Sequence, residues 1–270
     1  MGQSKVLPLG ECAIDPRRRR RMDVQLGILA DAGHALPRGA TVLDLGCGNG
    51  DLVNAYRQQG YRAYGCDFAF KPGRHADDLA RQGYIRRLQP EPYRLPFEDQ
   101  MFDLVVSNEV FEHVSDYEST LAEHRRVLKP DGVGLHFIPS RYSPIELHVF
   151  VPFATVLQEY WWLRLWAALG VRTAAQKHMS AAERARWNTQ YLKNHTNYLT
   201  KRELTRAFER HFASVTYRED LFLKYSQRAR PLHKLSRVLP FIPALYGTLR
   251  SRILLCAQPR SSPGSQHDSA

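Results

Sequence analysis

Short apolar, β-branched runs alternate with stretches of helical period from about Ala40 to Ile138. TVLDL at 41–45 is an apolar run that stops in the glycine-rich turn Gly46–Gly50, which predicts a buried strand followed by a tight loop. Asp51 to Gln59 then has helical spacing and closes at Gly60, and RAYGCD at 62–67 predicts a second strand. A polar helix over His75–Gln82, a strand over Tyr84–Leu88, a Pro-rich loop and the strand FDLVVSN at 102–108 continue the pattern. A helix over Tyr117–Leu128, stopped by Pro130-Asp131-Gly132, leads to the strand VGLHFIP. Alternation of this kind predicts parallel strands joined by right-handed helical crossovers, an α/β doubly wound sheet.

Outside that span the rhythm changes. The first forty residues predict a polar lead-in and a helix over Met22–Ala32 that ends near Gly33. After Pro139 comes an aromatic, apolar region with Tyr160, Trp161, Trp162 and Trp166, then a polar helix and the segment NHTNYLT. Thr200 and Glu203 form a capping box that opens another helix, followed by the strands FASVTYRE and RILLCAQ. The organisation expected is therefore 1–39 basic and helical lead-in, 40–139 core, 140–199 helical aromatic lid and 200–258 closing helix and strands. A basic apolar insertion, 226–250, lies within the last segment, and 259–270 is expected to be a disordered Ser-rich tail.

Composition adds little until charge is located. Hydrophobic residues are 43% and charged residues 24%, which excludes wholesale disorder. The four cysteines are scattered without zinc-site spacing. The basic run of the N-terminal segment follows a weak apolar stretch, the wrong order for a secretory signal, so a cytoplasmic location is expected. The net charge of +11 is concentrated between Leu221 and Arg260, which hold eight Lys or Arg and no acid, with a smaller focus at Arg17–Arg21. That is a patch for an anionic partner and not a uniformly basic chain.

The glycine turn carries the chemistry. Gly46, Gly48 and Gly50 permit a tight bend and close approach of a ligand, and the helix after them offers free N–H groups. A dinucleotide fingerprint would need glycine at position 51, where Asp51 stands, so the loop suits a smaller anion such as an amino-acid carboxylate. Asp44 is placed to hold a positive group. Asp67, at the end of the second strand, is placed to accept from both hydroxyls of a ribose, and Phe68 to cover a purine face.

VLDLGCGNGDL, YGCDF, RLPFEDQMFDLVVSNEVFEHV and RVLKPDGVGLHFIP, in that order, resemble the motifs of class I S-adenosylmethionine-dependent methyltransferases, of the ubiquinone-biosynthesis-like group. The resemblance implies a Rossmann-like, mostly parallel seven-stranded sheet with a lid insertion, S-adenosylmethionine as cofactor, and methyl transfer as the activity. It implies that Gly46 and Gly48 line the methionine moiety with Asp44 near its amino group. Asp67 would hold the ribose, Phe68 would lie beside the adenine, and Asn108 would close the pocket. Glu91 stands where the family usually has an Asp facing the adenine amine, a departure that puts that contact in question.

A hydroxyl acceptor needs a proton acceptor, and His113, His195, His148 and His136 are the histidines near the relevant sheet edge, the first two being the favoured candidates. If 109–113 is a helical turn, Glu109, Glu112 and His113 share a face that suits a divalent ion. Similar segments in the family are plain structure, and no metal is expected there.

Leu232, Leu235, Leu239, Ile242, Leu245 and Leu249 recur at helical spacing among basic residues, broken by Pro240 and Pro243 into two short helices. With no acid nearby, 226–252 suits an anionic membrane surface, and the aromatic lid suits the interface. The acceptor expected is a sugar, lipid-linked glycan, quinone or similar small molecule, methylated on oxygen. A non-catalytic membrane-surface module and an RNA methyltransferase are the rival readings. Nucleic acid is disfavoured because the basic residues alternate with aliphatics instead of stacking aromatics.

Overall fold

The structure, a computed structural model, describes residues 15–73 and 75–258. The sequence expectations for the extreme N-terminal lead-in and for the tail 259–270 lie outside these residues.

Helix α1 (Pro16–Asp31) starts earlier than expected, because Asp15 accepts from the Arg17 amide and Pro16 occupies the first turn. The arginine run is thus helix and not lead-in. Then follow β1 (Thr41–Leu45), α2 (Asp51–Gln58), β2 (Arg62–Asp67), α3 (Ala76–Arg81), β3 (Ile85–Arg87) and β4 (Phe102–Asn108). After these come α4 (Tyr117–Val127), β5 (Leu128–Pro139), α5 (Tyr160–Ala168), α6 (Ala181–His195), α7 (Lys201–Glu209) and β6 (Ser214–Tyr217). The chain closes with α8 (Glu219–Tyr225), α9 (Arg230–Ser236), α10 (Ile242–Leu249) and β7 (Ser251–Ala257).

The seven strands form one sheet in the order β3-β2-β1-β4-β5-β7-β6. All neighbours pair in parallel except β7, which runs antiparallel between β5 and β6. The doubly wound, mostly parallel sheet read from the sequence is the one observed. The Pro130–Gly132 segment differs from expectation. It is not a stop between helix and strand but a bulge inside β5, since Phe102 pairs Leu128 while Leu104 pairs Val133. Lys129 at that bulge binds the Asp103 carboxylate at 2.8 Å.

Central strands are apolar on both faces because both are covered. Val42, Leu104, Val106 and Leu135 meet Met22, Ile28 and Leu29 of α1 and Leu52 and Val53 of α2 on one side. Leu43, Leu45 and Val105 meet Leu121 of α4 and Leu204 and Phe208 of α7 on the other. His136, in β5, is fully buried with Nδ1 2.8 Å from Ser107 Oγ, a core histidine. Helix α8 does not follow from the sequence pattern. It packs Tyr225 against Gly27 of α1, and an ion pair joins Lys224 to Asp31.

Segment 140–199 is partly self-supporting. Val149, Val151, Ala154, Leu163, Ala185 and Leu192 form a small core of their own, with Trp162 and Trp166 against it. Among the described residues, no helix is long and apolar enough to cross a membrane.

Gly65 in β2 is where sheet and glycine turn meet. A Cβ there would lie 2.6 Å from Cys47 Cβ and 2.8 Å from Val53 Cγ2. Gly65→Ala is therefore expected to cost about 1–3 kcal/mol of stability through overpacking. Urea unfolding would read this; an unchanged midpoint would contradict the packing account.

Candidate functional site

Turns after β1, β2 and β4 meet at the carboxyl edge of the sheet, where a doubly wound fold places its ligands. They line one side of a cleft of about 1310 Å³. This exceeds the roughly 300–1,000 Å³ of a typical small-molecule pocket, so the cleft has room for two ligands.

Gly46, Gly48 and Gly50 all take positive φ (75°, 56° and 73°), the conformation the turn needs. Val110 backs Gly46, so a Cβ there would collide with its side chain. At Gly48 a Cβ would meet only Lys71, at 3.6 Å, which leaves the backbone open to the cleft. The Gly48 N–H donates to Asp67 Oδ2 at 2.8 Å, and the Ala69 N–H reaches Oδ1 at 3.4 Å. Asp67 is thereby fixed at the end of β2. Phe68 is 51% exposed on the cleft wall, in tilted contact with Tyr93 at 6.3 Å. Glu91 and Asn108 also line the cleft, and Asn108 Oδ1 accepts from Gln25 of α1 at 3.4 Å.

Asp44 is buried on the cleft floor. Burial pushes its carboxyl up to about 7, against the pull of Arg21 and Arg18. Both arginines line the cleft, and Arg18 also reaches Asp51 at 3.7 Å. That pairing offsets the acid at the start of α2, which suits an anion poorly when unpaired. The sequence marks Arg17–Arg21 as a basic focus but does not place Arg18 and Arg21 at the cleft, because the contact depends on where α1 begins.

The opposite wall carries the candidate chemistry. Residues 109–113 are not one helical face: Glu109 has φ of 57° and only Phe111–His113 form a 3-10 turn. Glu109, Glu112 and His113 still line the cleft, and they are joined there by His148 and Tyr198. His113 donates from Nδ1 to the His195 carbonyl at 2.6 Å, and burial depresses its pKa. The sequence had favoured the His195 ring, but the ring packs on Tyr191 at 5.3 Å and does not line the cleft; its carbonyl makes the contact.

Fully buried Glu146 is the hub of this wall. It accepts from the His148 ring and the Tyr198 hydroxyl at 2.6 Å each, and from the His148 and Val149 amides at 2.8 Å each. Burial alone would raise its pKa, but these hydrogen bonds outweigh that and hold it below the usual carboxylate range. Glu112 has no such partners, and burial pushes it up to about 8, with Glu109 and Glu146 adding to the rise.

Residues 43–135 match the family model described as a methyltransferase domain. The chain is similar to the demethylmenaquinone methyltransferase of Lactobacillus johnsonii, 39% identical over 115 residues, which cover 40% of this chain and 47% of that one. It is also similar to the ubiquinone biosynthesis O-methyltransferase of Pasteurella multocida, 30% identical over 41% of this chain and 50% of that one. The chain thus spans about half the length of the curated relatives it matches. A phosphoethanolamine N-methyltransferase from Haemonchus contortus, solved with S-adenosylhomocysteine, shares the fold at a TM-score of 0.50 and 12% identity, covering 89% of this chain and 53% of that one.

Asp44 sets a pH dependence. Its folded pKa lies above the unfolded value near ~4, so its stabilising contribution is complete below about pH 4 and is lost as pH rises through about 7. Asp44→Asn is expected to flatten that decline and make the unliganded protein more stable at pH 8, by about 2–4 kcal/mol. Urea unfolding at pH 5 and pH 8 checks this. Equal wild-type and variant slopes with pH would contradict the buried, proton-binding carboxyl.

Proposed function

We propose that the protein is an S-adenosylmethionine-dependent methyltransferase acting on an oxygen of a small-molecule or lipid-linked acceptor at an anionic membrane surface. The observation that carries this reading is the glycine turn held open to the cleft and tied to Asp67, across the same cleft from a wall that carries His113, His148 and Tyr198.

These residues fit the cofactor. The open face of Gly48 leaves room for the methionine chain, Asp44 suits its ammonium, and Arg18 and Arg21 suit its carboxylate. Asp67 keeps acceptor capacity for ribose hydroxyls, Phe68 offers a ring face for adenine, and Asn108 closes the floor. The cofactor, when bound, supplies an electrophilic methyl group on a sulfonium sulfur for an in-line displacement. The protein supplies alignment and water exclusion. An acceptor hydroxyl has to lose its proton, and the rings of His113 and His148 on the far wall of the cleft are placed to take it. His195 serves through its carbonyl, which orients His113.

Demethylmenaquinone and ubiquinone methyltransferases among the relatives support a quinone-like or lipid-proximal acceptor. The surface supports the same choice. Helix α9 buries none of its residues, and Val238 and Phe241 beyond it are 76% and 56% exposed among Arg228, Arg230, Lys234 and Arg237. On the lid Trp161 is 61% exposed. Aromatic and aliphatic side chains with basic neighbours are the chemistry of a helix lying on anionic lipid.

Calorimetric titration with S-adenosylhomocysteine is expected to show one site, weakened at least tenfold by Asp67→Ala. A folded protein with no such site overturns the enzyme reading. Sedimentation with phosphatidylserine vesicles tests the surface: binding that falls on adding salt and is lost in Val238→Asp/Phe241→Asp is expected. Absence of binding removes the membrane part and leaves a freely diffusing acceptor.

A further inference from the structure

Under the sheet face that α4 and α7 cover, three side chains from distant positions in the chain meet. His124 belongs to α4, His136 to β5 and Cys256 to β7, and all three are fully buried. Gly134 shares a face of β5 with His136 and pairs with Cys256 across the ladder. A Cβ on Gly134 would lie 2.6 Å from His136 Nε2, 2.7 Å from Cys256 Sγ and 2.8 Å from His124 Cε1. The three groups thus converge over a position where no side chain stands. None of them lines the cleft.

Packing alone does not account for this cluster. Both ring nitrogens of His124 are buried with no hydrogen-bond partner among the described residues. A neutral imidazole carries one N–H and one lone pair, so a donor and an acceptor are orphaned together, which native interiors avoid. His136 is held differently, with Nδ1 2.8 Å from Ser107 Oγ. When that oxygen accepts from Nδ1, the lone pair of Nε2 faces Cys256 Sγ, 3.8 Å away. A ring pinned through its second nitrogen is the arrangement found behind metal-ligating histidines. The His124 and His136 rings lie edge to face with centroids 4.8 Å apart. One donor atom from each of His124, His136 and Cys256 lies within 4.8 Å of the other two.

We propose that His124, His136 and Cys256 form a three-coordinate copper(I) site inside the core. A thiolate with two imidazoles selects Cu⁺ or Zn²⁺ among the common ions. Zinc almost always takes four ligands, and three are offered here. Charge decides in the same direction. The rings around the cluster are Phe111 and Phe208 against His136 and Phe212 against His124. In that apolar shell Cu⁺ and one thiolate cancel, whereas Zn²⁺ would leave a buried net positive charge. Bonds of about 2.0 Å to nitrogen and 2.3 Å to sulfur set trigonal donors roughly 3.5–3.8 Å apart. His136 and Cys256 already stand at this separation, and His124 closes in by about 1 Å. On binding, the S–H bond of Cys256 breaks, a Cu–S bond forms and the proton leaves to solvent. The ion satisfies His124, ties α4 to β5 and β7, and makes Ser107 a positioning residue for His136. It does not rest on the methyltransferase reading. Ligands at 124, 136 and 256 have no recognisable spacing, and only the β5–β7 ladder brings them together.

Because the site is closed, the full-length protein would be loaded in two ways: purified from copper-fed cells, and refolded from urea with Cu⁺ in the absence of oxygen. One copper per chain is expected by elemental analysis after gel filtration, with X-ray absorption showing one sulfur and two nitrogen ligands. Cys256→Ser and His124→Leu should each lower copper retention at least tenfold, and Ser107→Ala by about 10–100-fold. His178→Ala, an exposed histidine elsewhere, should leave retention unchanged. Copper should raise the urea midpoint of the wild type and leave that of His124→Leu unmoved. Without copper, His124→Leu should unfold at higher urea than the wild type, since it removes the orphaned nitrogens. Folded protein that holds no copper overturns the site. So does wild-type retention in Cys256→Ser and His124→Leu, the result expected if buried Cys47 and Cys66 took the ion instead. Zn²⁺ held in preference to Cu⁺ overturns the choice of ion. Should His124→Leu fail to fold, Cys256→Ser decides.

Discussion

The hydrogen bond from the Gly48 amide to Asp67 ties together the two turns on which the cleft depends. It joins the loop after β1 to the end of β2, and it constrains both partners. Gly48 has to lie with its amide turned toward the neighbouring strand, which its positive φ permits. Asp67 has to hold one oxygen inward, which leaves its remaining lone pairs facing the cleft. The parallel pairing of β1 with β2, Leu45 opposite Cys66, sets the register that makes the bond possible. Gly65, without a side chain, lets Cys47 and Val53 approach close enough to keep it.

The far wall of the cleft, which carries His113, His148 and Tyr198, is built on a different principle. Its polar groups come from positions far apart in the chain and converge through a buried carboxylate. Glu146 gathers His148, Tyr198 and two backbone amides, and the end of α6 presents the His195 carbonyl to His113. Segment 140–199 thus contributes polar groups to the cleft. It supplies groups that fix ring orientation on a wall whose other members belong to the sheet edge. A fold shared by many transferases acquires its particular chemistry through such an addition.

Much of the fold was legible because the strands announce themselves by composition. Strands β1 and β4 fall at the positions the apolar runs predicted, since burial on both faces leaves little room for polar alternation. Helix α7 was legible from Thr200 and Glu203, which form the reciprocal cap expected of them. The start of α1 was not, because an arginine run carries no apolar period and the cap at Asp15 is a local contact. The bulge at 129–132 was hidden as well: Pro and Gly spell a stop, and only pairing with β4 shows that the strand continues. At the site, residues on adjacent turns were legible from their spacing. Arg18, Arg21, Glu146 and Tyr198 were not, since tertiary packing alone brings them to the cleft. For His195 the residue type does not show the contact, because the atom that reaches His113 is a main-chain oxygen that any residue carries.

Amide hydrogen exchange with and without S-adenosylhomocysteine tests the central claim most directly, because it reads position and not only affinity. The account predicts slowed exchange confined to the turn 46–50, to 67–69 and to the segment after β4, with β6 and α9 unchanged. Protection located elsewhere, or none under saturating analogue, would contradict a cofactor site built on the Gly48–Asp67 bond.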